Sequence, residues 1–354
     1  MIHHRTPEFD RILARVLKDL KDVFKTKEDV YVISSTGSGG MEALLVNVLN
    51  PLDEVLCIDS GKFGERWNEM AKVFGGITHT LKLEWGKAVT AAQVKDQLDK
   101  NPNIKIVLTQ ACETSSGVLH PIKEIGELIH KYPDTLFLVD GITALGALPL
   151  PMDEWFIDGL VGGSQKAFML PTGLAMFSFS QKAWKKIENN PTPRFYFDVR
   201  KEKAANKKGE TFFSSNVSLI RALDVVLELI NKKGLDSHYK DINKRAEFTR
   251  HFALKLGLKL YAEKPSASLT ALVVPAGIDS QILREKLEKN HHITIMGGQD
   301  QAKGKIIRIG HMGHILPEQM NDLIQKLSSV LKEMGAEISP VSEIDLKTWW
   351  QTNA

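Results

Sequence analysis

Two stretches decide the reading of this chain: Phe137-Leu138-Val139-Asp140 and, further on, Leu160-Val161-Gly162-Gly163-Ser164-Gln165-Lys166. Each is a short apolar run that ends in polar residues. In a chain that alternates strands and helices, such runs read as buried parallel strands with chemistry at their carboxyl ends. One run delivers an acid, Asp140, and the other an amine, Lys166. A lysine condenses with an aldehyde, and an aspartate holds a proton on a pyridine nitrogen. Pyridoxal 5'-phosphate (PLP) asks a protein for that pair of groups.

Working outward, the alternation continues in both directions. Apolar residues at Ile12, Leu13, Val16, Leu17 and Leu20 share one helical face between Phe9 and Phe24. Strands are expected at Val30–Ile33, Val55–Ile58, Ile104–Leu108, Phe137–Val139, Gly159–Val161 and Leu174–Phe179. Helices are expected from Met41 to Asn50, Phe63 to Phe74 and Ile122 to His130. This pattern predicts an α/β fold with a mainly parallel sheet covered on both faces. A long amphipathic helix follows from Ser218 to Lys232. A smaller α+β unit comes next: helix Lys240–Leu256, strand Leu269–Val274, helix Ser280–Lys289, strand Ile306–Ile309 and helix Pro317–Met334. The junction is placed near Gly234, giving a large domain over 1–234 and a small one over 235–354. Arg200–Gly209 reads as a lysine-rich mobile loop.

The bulk numbers limit the classes. The 354 residues suit about two domains. A formal charge of +3 with 25% charged residues implies neither a nucleic-acid nor a membrane surface. The two cysteines, Cys57 and Cys112, make no disulfide framework. With no secretory leader read at the start, cytoplasmic location is the expectation.

Ser35-Thr36-Gly37-Ser38-Gly39-Gly40 lies between a strand and a helix. A helix N-terminus offers unpaired N–H groups to an anion, and Thr36 and Ser38 add hydroxyls. It matches neither a Walker loop nor the dinucleotide glycine spacing. Phe63, between Gly61 and Gly64, is placed to stack on a flat ring. Glu113-Thr114-Ser115-Ser116-Gly117 offers hydroxyls after another strand. Arg308, among apolar neighbours, suits a carboxylate because its planar group donates two parallel hydrogen bonds. His3-His4, His291-His292 and His311/His314 lack ligand partners at structural-zinc spacing and read as loop or core residues. Trp349-Trp350 reads as a packing anchor.

Taken in order, Thr36-Gly37-Ser38, Gly61-Lys62-Phe63-Gly64-Glu65-Arg66, Glu113 to Val118, Val139-Asp140 and Ser164-Gln165-Lys166 resemble the class V PLP-dependent aminotransferases, specifically the alanine–glyoxylate/serine–pyruvate aminotransferase family. The resemblance runs from His4 to Gly310. It implies a fold type I PLP-dependent transferase with a seven-stranded-type sheet. Lys166 would bind the cofactor aldehyde, and Asp140 would pair with its pyridine nitrogen. Phe63 would stack on the ring, and Thr36, Gly37, Ser38 and Gln165 would contact phosphate or ring. Thr114 would lie near the ring hydroxyl, and Arg308 would bind the substrate carboxylate. Thr211 and Ser214 would reach the phosphate of the neighbouring subunit of a homodimer. Two departures stand out: a Pro-Gly-Pro-Thr segment with which the family begins lies outside this sequence, and Thr211 is followed by two phenylalanines where prolines are usual.

The implied activity is transfer of an amino group from a small amino acid, alanine or serine, to glyoxylate or pyruvate in a ping-pong cycle. Three alternatives stay open. One is a cysteine desulfurase or selenocysteine lyase, against which stand the lack of any cysteine after Cys112 and glutamine before Lys166. The others are a lyase or decarboxylase, and a non-catalytic subunit of a larger assembly.

Overall fold

A computed structural model describes residues 2–353. Its strands are β1 (Val30–Ser34), β2 (Glu54–Asp59), β3 (Ile77–Lys82), β4 (Ile104–Gln110), β5 (Cys112–Glu113), β6 (Val118–Leu119), β7 (Leu136–Asp140), β8 (Gly159–Gly163), β9 (Leu174–Phe179), β10 (Lys259–Leu260), β11 (Leu269–Val273), β12 (Met296–Gly297) and β13 (Ile306–Gly310). Seven form one sheet in the order β1-β9-β8-β7-β4-β2-β3. All its neighbours pair in parallel except β9, which runs antiparallel to both β1 and β8. The physical reason lies in the connection. Ten residues, 164–173, join β8 to β9, too few for a crossover, so the chain turns straight back. Lys166 sits in that loop.

The two faces of the sheet follow from strand alternation. Val107, Phe137 and Val139 pack with Phe9, Leu20, Val94, Ile125 and Leu227 of the helices on one side. Ile106, Leu108, Leu138 and Val161 pack with Met41, Leu44, Trp67 and Trp184 on the other. Gly40 shows how tight the second layer is, since a Cβ there would come within 2.7 Å of Val161 and 2.8 Å of Ala175. A four-stranded antiparallel sheet, β10-β11-β13-β12, packs with helices Leu235–Lys255, Ser280–His291 and Pro317–Glu333 around a separate core. Trp350 stacks on Phe248 there at 4.6 Å, and Trp349 meets the same ring edge-on. Among the described residues no helix is long and apolar enough to cross a membrane.

Several expected boundaries move. Arg200–Gly209 is not a free loop: Val199–Asn206 is a helix, capped by Asp198, whose carboxylate accepts from Arg200 N–H. Buried Glu202 accepts from the Phe212 amide at 3.0 Å and so ties the helix to the following segment. The lysines lie outside, with Lys203 Nζ 3.7 Å from the Trp184 ring centroid. The helix expected from Met41 starts at Gly37, because Thr36 Oγ1 accepts from Gly39 N–H and acts as its cap. The helix expected from Lys240 starts at Leu235, directly after Gly234 turns the chain with φ 84°. Strand β3 and helices Ala91–Lys100, Gln181–Asn189 and Glu343–Thr352 were not foreseen.

Candidate active site

The parallel strands β1, β2, β4, β7 and β8 all end on one edge of the sheet, and the sequence motifs follow those ends. Asp140 closes β7 and is only 5% exposed. Its Oδ1 accepts from the Ile142 N–H at 2.8 Å. Burial pushes its carboxyl up to about 7. The Ile142 N–H and the charges of Arg66 and Lys166 oppose the rise, and Glu113 adds to it. The protein's own groups thus leave this acid half-protonated near neutrality.

Lys166 is held by the loop that turns β8 into β9. Ser164 anchors that loop at both ends: its Oγ donates to Pro171 O at 2.7 Å and accepts from Leu174 N–H at 3.2 Å. Met169 N–H closes a turn on Lys166 O at 3.1 Å. Burial is the main force depressing the lysine's pKa, and the Arg308 charge adds to it, while Cys112 and Asp140 oppose. Asp140 and Lys166 therefore lie within each other's electrostatic reach.

Beside them begins the helix Gly37–Val48. Gly37 abuts the Ile142 side chain, which would have to shift for any larger residue, since a Cβ would lie 2.6 Å from Ile142 Cδ1. The helix start is thereby pressed against the residue that holds Asp140. Gly39 N–H bonds Thr36 Oγ1 and Gly40 N–H bonds Thr36 O, whereas Gly37 and Ser38 N–H have no protein partner among the described residues. Gln165 Oε1 is buried and also lacks a partner.

Phe63 lies in the first turn of the helix Lys62–Val73, with the Arg66 Cζ 4.9 Å from its ring centroid. A residue not foreseen as part of the site organises this corner. Glu113 is fully buried, and its two oxygens accept from Phe63, Gly64 and Ser115 N–H, Ser115 Oγ–H and Gln110 Nε2–H, at distances from 2.5 to 3.4 Å. Burial raises its pKa, against the pull of those bonds. Every partner is a donor, so the set fits a carboxylate. Gly61 permits the approach: a Cβ there would lie 2.6 Å from Glu113 Cδ. Gln110 extends the network to Ser60 Oγ at 3.0 Å, which meets His120 Nε2 at 2.7 Å. His120 accepts from Val89 N–H and is pushed down to about 3 by burial, so it is neutral.

Arg308, on β13, crosses from the small sheet to this edge. Its Nε donates to Gly297 O at 2.8 Å and its Nη1 to Thr114 O at 2.7 Å. No acid pairs with it among the described residues; burial lowers its pKa, and the Glu113 charge opposes. Thr114 Oγ1 shares a 2.7 Å hydrogen bond with Thr143 Oγ1. Thr211 and Ser214 lie on a segment beside Ser34 and Tyr196. Thr211 Oγ1 donates to Phe213 O at 2.8 Å, and Ser214 is exposed.

The remaining candidates go elsewhere. His311 is a core residue, with Nε2 2.9 Å from Thr270 Oγ1. Both cysteines are buried, and burial pushes each thiol up to about 12. Among the described residues no three His, Cys, Asp or Glu side chains cluster as a metal site.

The chain is similar to known proteins along most of its length. The soluble hydrogenase small subunit of Synechococcus sp. (strain PCC 6716) is 34% identical over 339 residues, covering 94% of this chain and 88% of its own length. The L-aspartate–glyoxylate aminotransferase of Paracoccus denitrificans (strain Pd 1222) is 34% identical over 345 residues, covering 95% and 87%. The crystal structure of ureidoglycine–glyoxylate aminotransferase from Bacillus subtilis superposes with a TM-score of 0.92 at 28% identity, covering 99% of this chain and 92% of that one. The family model "Aminotransferase class-V" matches residues 1–316, and this chain belongs to that family, whose members depend in general on PLP.

Proposed function

We propose that this chain binds PLP at the carboxyl ends of β7 and β8 and moves an amino group from a small amino acid to a 2-oxo acid, glyoxylate or pyruvate. The observation that carries the reading is the Asp140–Lys166 pair. A buried acid raised to about 7 and a partly buried amine shifted downward are brought within electrostatic reach from separate strand ends. The residues fit the cofactor: two free helix amides beside Ser38 suit a phosphate, and the unpartnered Gln165 Oε1 suits a polar ring or phosphate neighbour.

When bound, PLP supplies a carbonyl carbon for amines and a protonated ring that draws electrons from the substrate Cα. Asp140 would hold the proton on the ring nitrogen, and that positive charge would return the acid to its ionised form. Lys166 would capture the aldehyde and, once displaced by the amino donor, carry a proton between the substrate Cα and the cofactor C4′ carbon. A depressed pKa is what such a base needs near neutrality. Arg308 would hold the substrate carboxylate, Phe63 would cover one ring face, and Thr114 would lie near the ring hydroxyl. Thr36, Gly37, Ser38 and Gln165 would form the phosphate end. Thr211 and Ser214 would serve the partner's phosphate in a homodimer. We set the junction of the two units at Gly234, between cores that are separate.

One relative is named as a subunit, and a second reading is a subunit of a larger assembly that does not itself transfer amino groups. The poised Asp140 and Lys166 speak against it. One experiment separates the two. PLP-loaded protein is mixed with alanine, serine or aspartate and no acceptor, and the 2-oxo acid is measured. One equivalent per site with at least one donor, followed by further release once glyoxylate is added as acceptor and leaves as glycine, is expected; release with none of the donors contradicts the transaminase reading.

A further inference from the structure

Arg66 is the half-buried cation that the reading above leaves without a task. It sits one turn after Phe63 on the same face of its helix. Its Nη1 donates to Ser38 Oγ at 2.8 Å, so it bridges two helices. Its guanidinium also covers the Phe63 ring. The nearest acid in sequence, Glu65, is taken by Lys62 at 2.8 Å, and no carboxylate pairs with Arg66 among the described residues. A half-buried guanidinium without a counter-ion is costly, and it is stabilised when an anion joins it. Its field already reaches Asp140, whose pKa it lowers.

The bond to Ser38 has a chemical consequence. Arginine has donors only, so Ser38 Oγ must accept from it. The hydroxyl proton is then directed away from Arg66 and left free to donate. It lies in the same helix turn as the free Gly37 and Ser38 amides. We infer that Arg66 is a positioning residue for the phosphate end of the cofactor site. It fixes Ser38 as a donor to the phosphate, adds positive charge beside it, and ties that end to the ring-stacking Phe63. This rests on the PLP reading given above.

The test compares PLP with pyridoxal, which has the same ring and aldehyde but no phosphate. Both compounds are titrated into the apoprotein by tryptophan fluorescence, with Trp67 adjacent to Arg66 as one reporter. In Arg66→Gln, PLP should bind about 10- to 100-fold more weakly, as expected for loss of a charge-assisted bond. Pyridoxal should change by less than about twofold. Ser38→Ala added to Arg66→Gln should cost little more, because the serine has already lost its orientation. Arg66→Lys should recover part of the PLP affinity through its charge. Equal losses for PLP and pyridoxal, or no loss for either, overturn the proposal and leave Arg66 a plain tie between helices. Wild-type protein that binds neither compound overturns the cofactor reading itself, and the inference with it, which is a different outcome from equal losses in the variant.

Discussion

The Arg308 guanidinium donates to the Thr114 carbonyl at 2.7 Å, joining the small sheet to the turn between β5 and β6. With its Nε fixed on Gly297 O, the arginine is held before any substrate arrives. Preorganisation of this kind lowers the ordering cost of binding.

Arg308→Gln should therefore raise KM for the amino donor about 10- to 100-fold, the range expected for a charge-assisted pair. PLP content, read by absorbance, should stay at one per chain. Steady-state kinetics and cofactor titration check this together; a large loss of bound PLP would place Arg308 in the cofactor site instead.

Asp140 gives a pH signature in the apoprotein. Its folded pKa of about 7 lies above its ordinary value of 3.8. The folded state therefore holds the proton more tightly, and stability is lost as pH rises from about 4 through about 7. Above pH 7 the penalty is complete, at most about 4 kcal/mol from a shift of about three pKa units. Asp140→Asn escapes it. The apo variant should match wild type in melting temperature near pH 4 and exceed it by several degrees at pH 8. Saturating PLP should stabilise wild type more than the variant at pH 8. A stability difference that does not vary with pH would remove the raised pKa from the account.

Glu113→Ala leaves Phe63, Gly64, Gln110 and Ser115 donors unpaired in a dry interior. Each unpaired buried group costs about 1–3 kcal/mol, with partial relief by water. A loss of about 3–5 kcal/mol in denaturant unfolding is expected, with weaker PLP binding because Phe63 is no longer fixed. A loss under about 1 kcal/mol would show that the network is not tightly held.

Neither Cys57 nor Cys112 should react with a thiol reagent at pH 8 in the folded protein, since burial pushes both up to about 12. Both should react after unfolding. Fast labelling of one thiol in the native protein would contradict its burial.

How far the sequence could be read depends on where each signal lives. The strands β4, β7 and β8 are legible because burial on both faces demands apolar runs, and Asp140 and Lys166 stand out as charges at their ends. Strand β3 is hidden because it is a half-exposed edge rich in threonine and histidine. Helix Val199–Asn206 shows almost no apolar period and is set by a cap and a buried glutamate. The task of Glu113 could not be read at all: the Phe63 and Gly64 donors lie some fifty residues away and meet it only through the sheet order. The pairing of Arg66 with Ser38 is hidden for the same reason.

The central claim is that Asp140 and Lys166 serve one pyridine ring. Wild type and Asp140→Ala can be loaded with PLP carrying ¹⁵N in the ring, and the nitrogen shift recorded at pH 8. A protonated ring nitrogen in wild type and a deprotonated one in the variant is the expected result; the same protonation state in both would contradict the account.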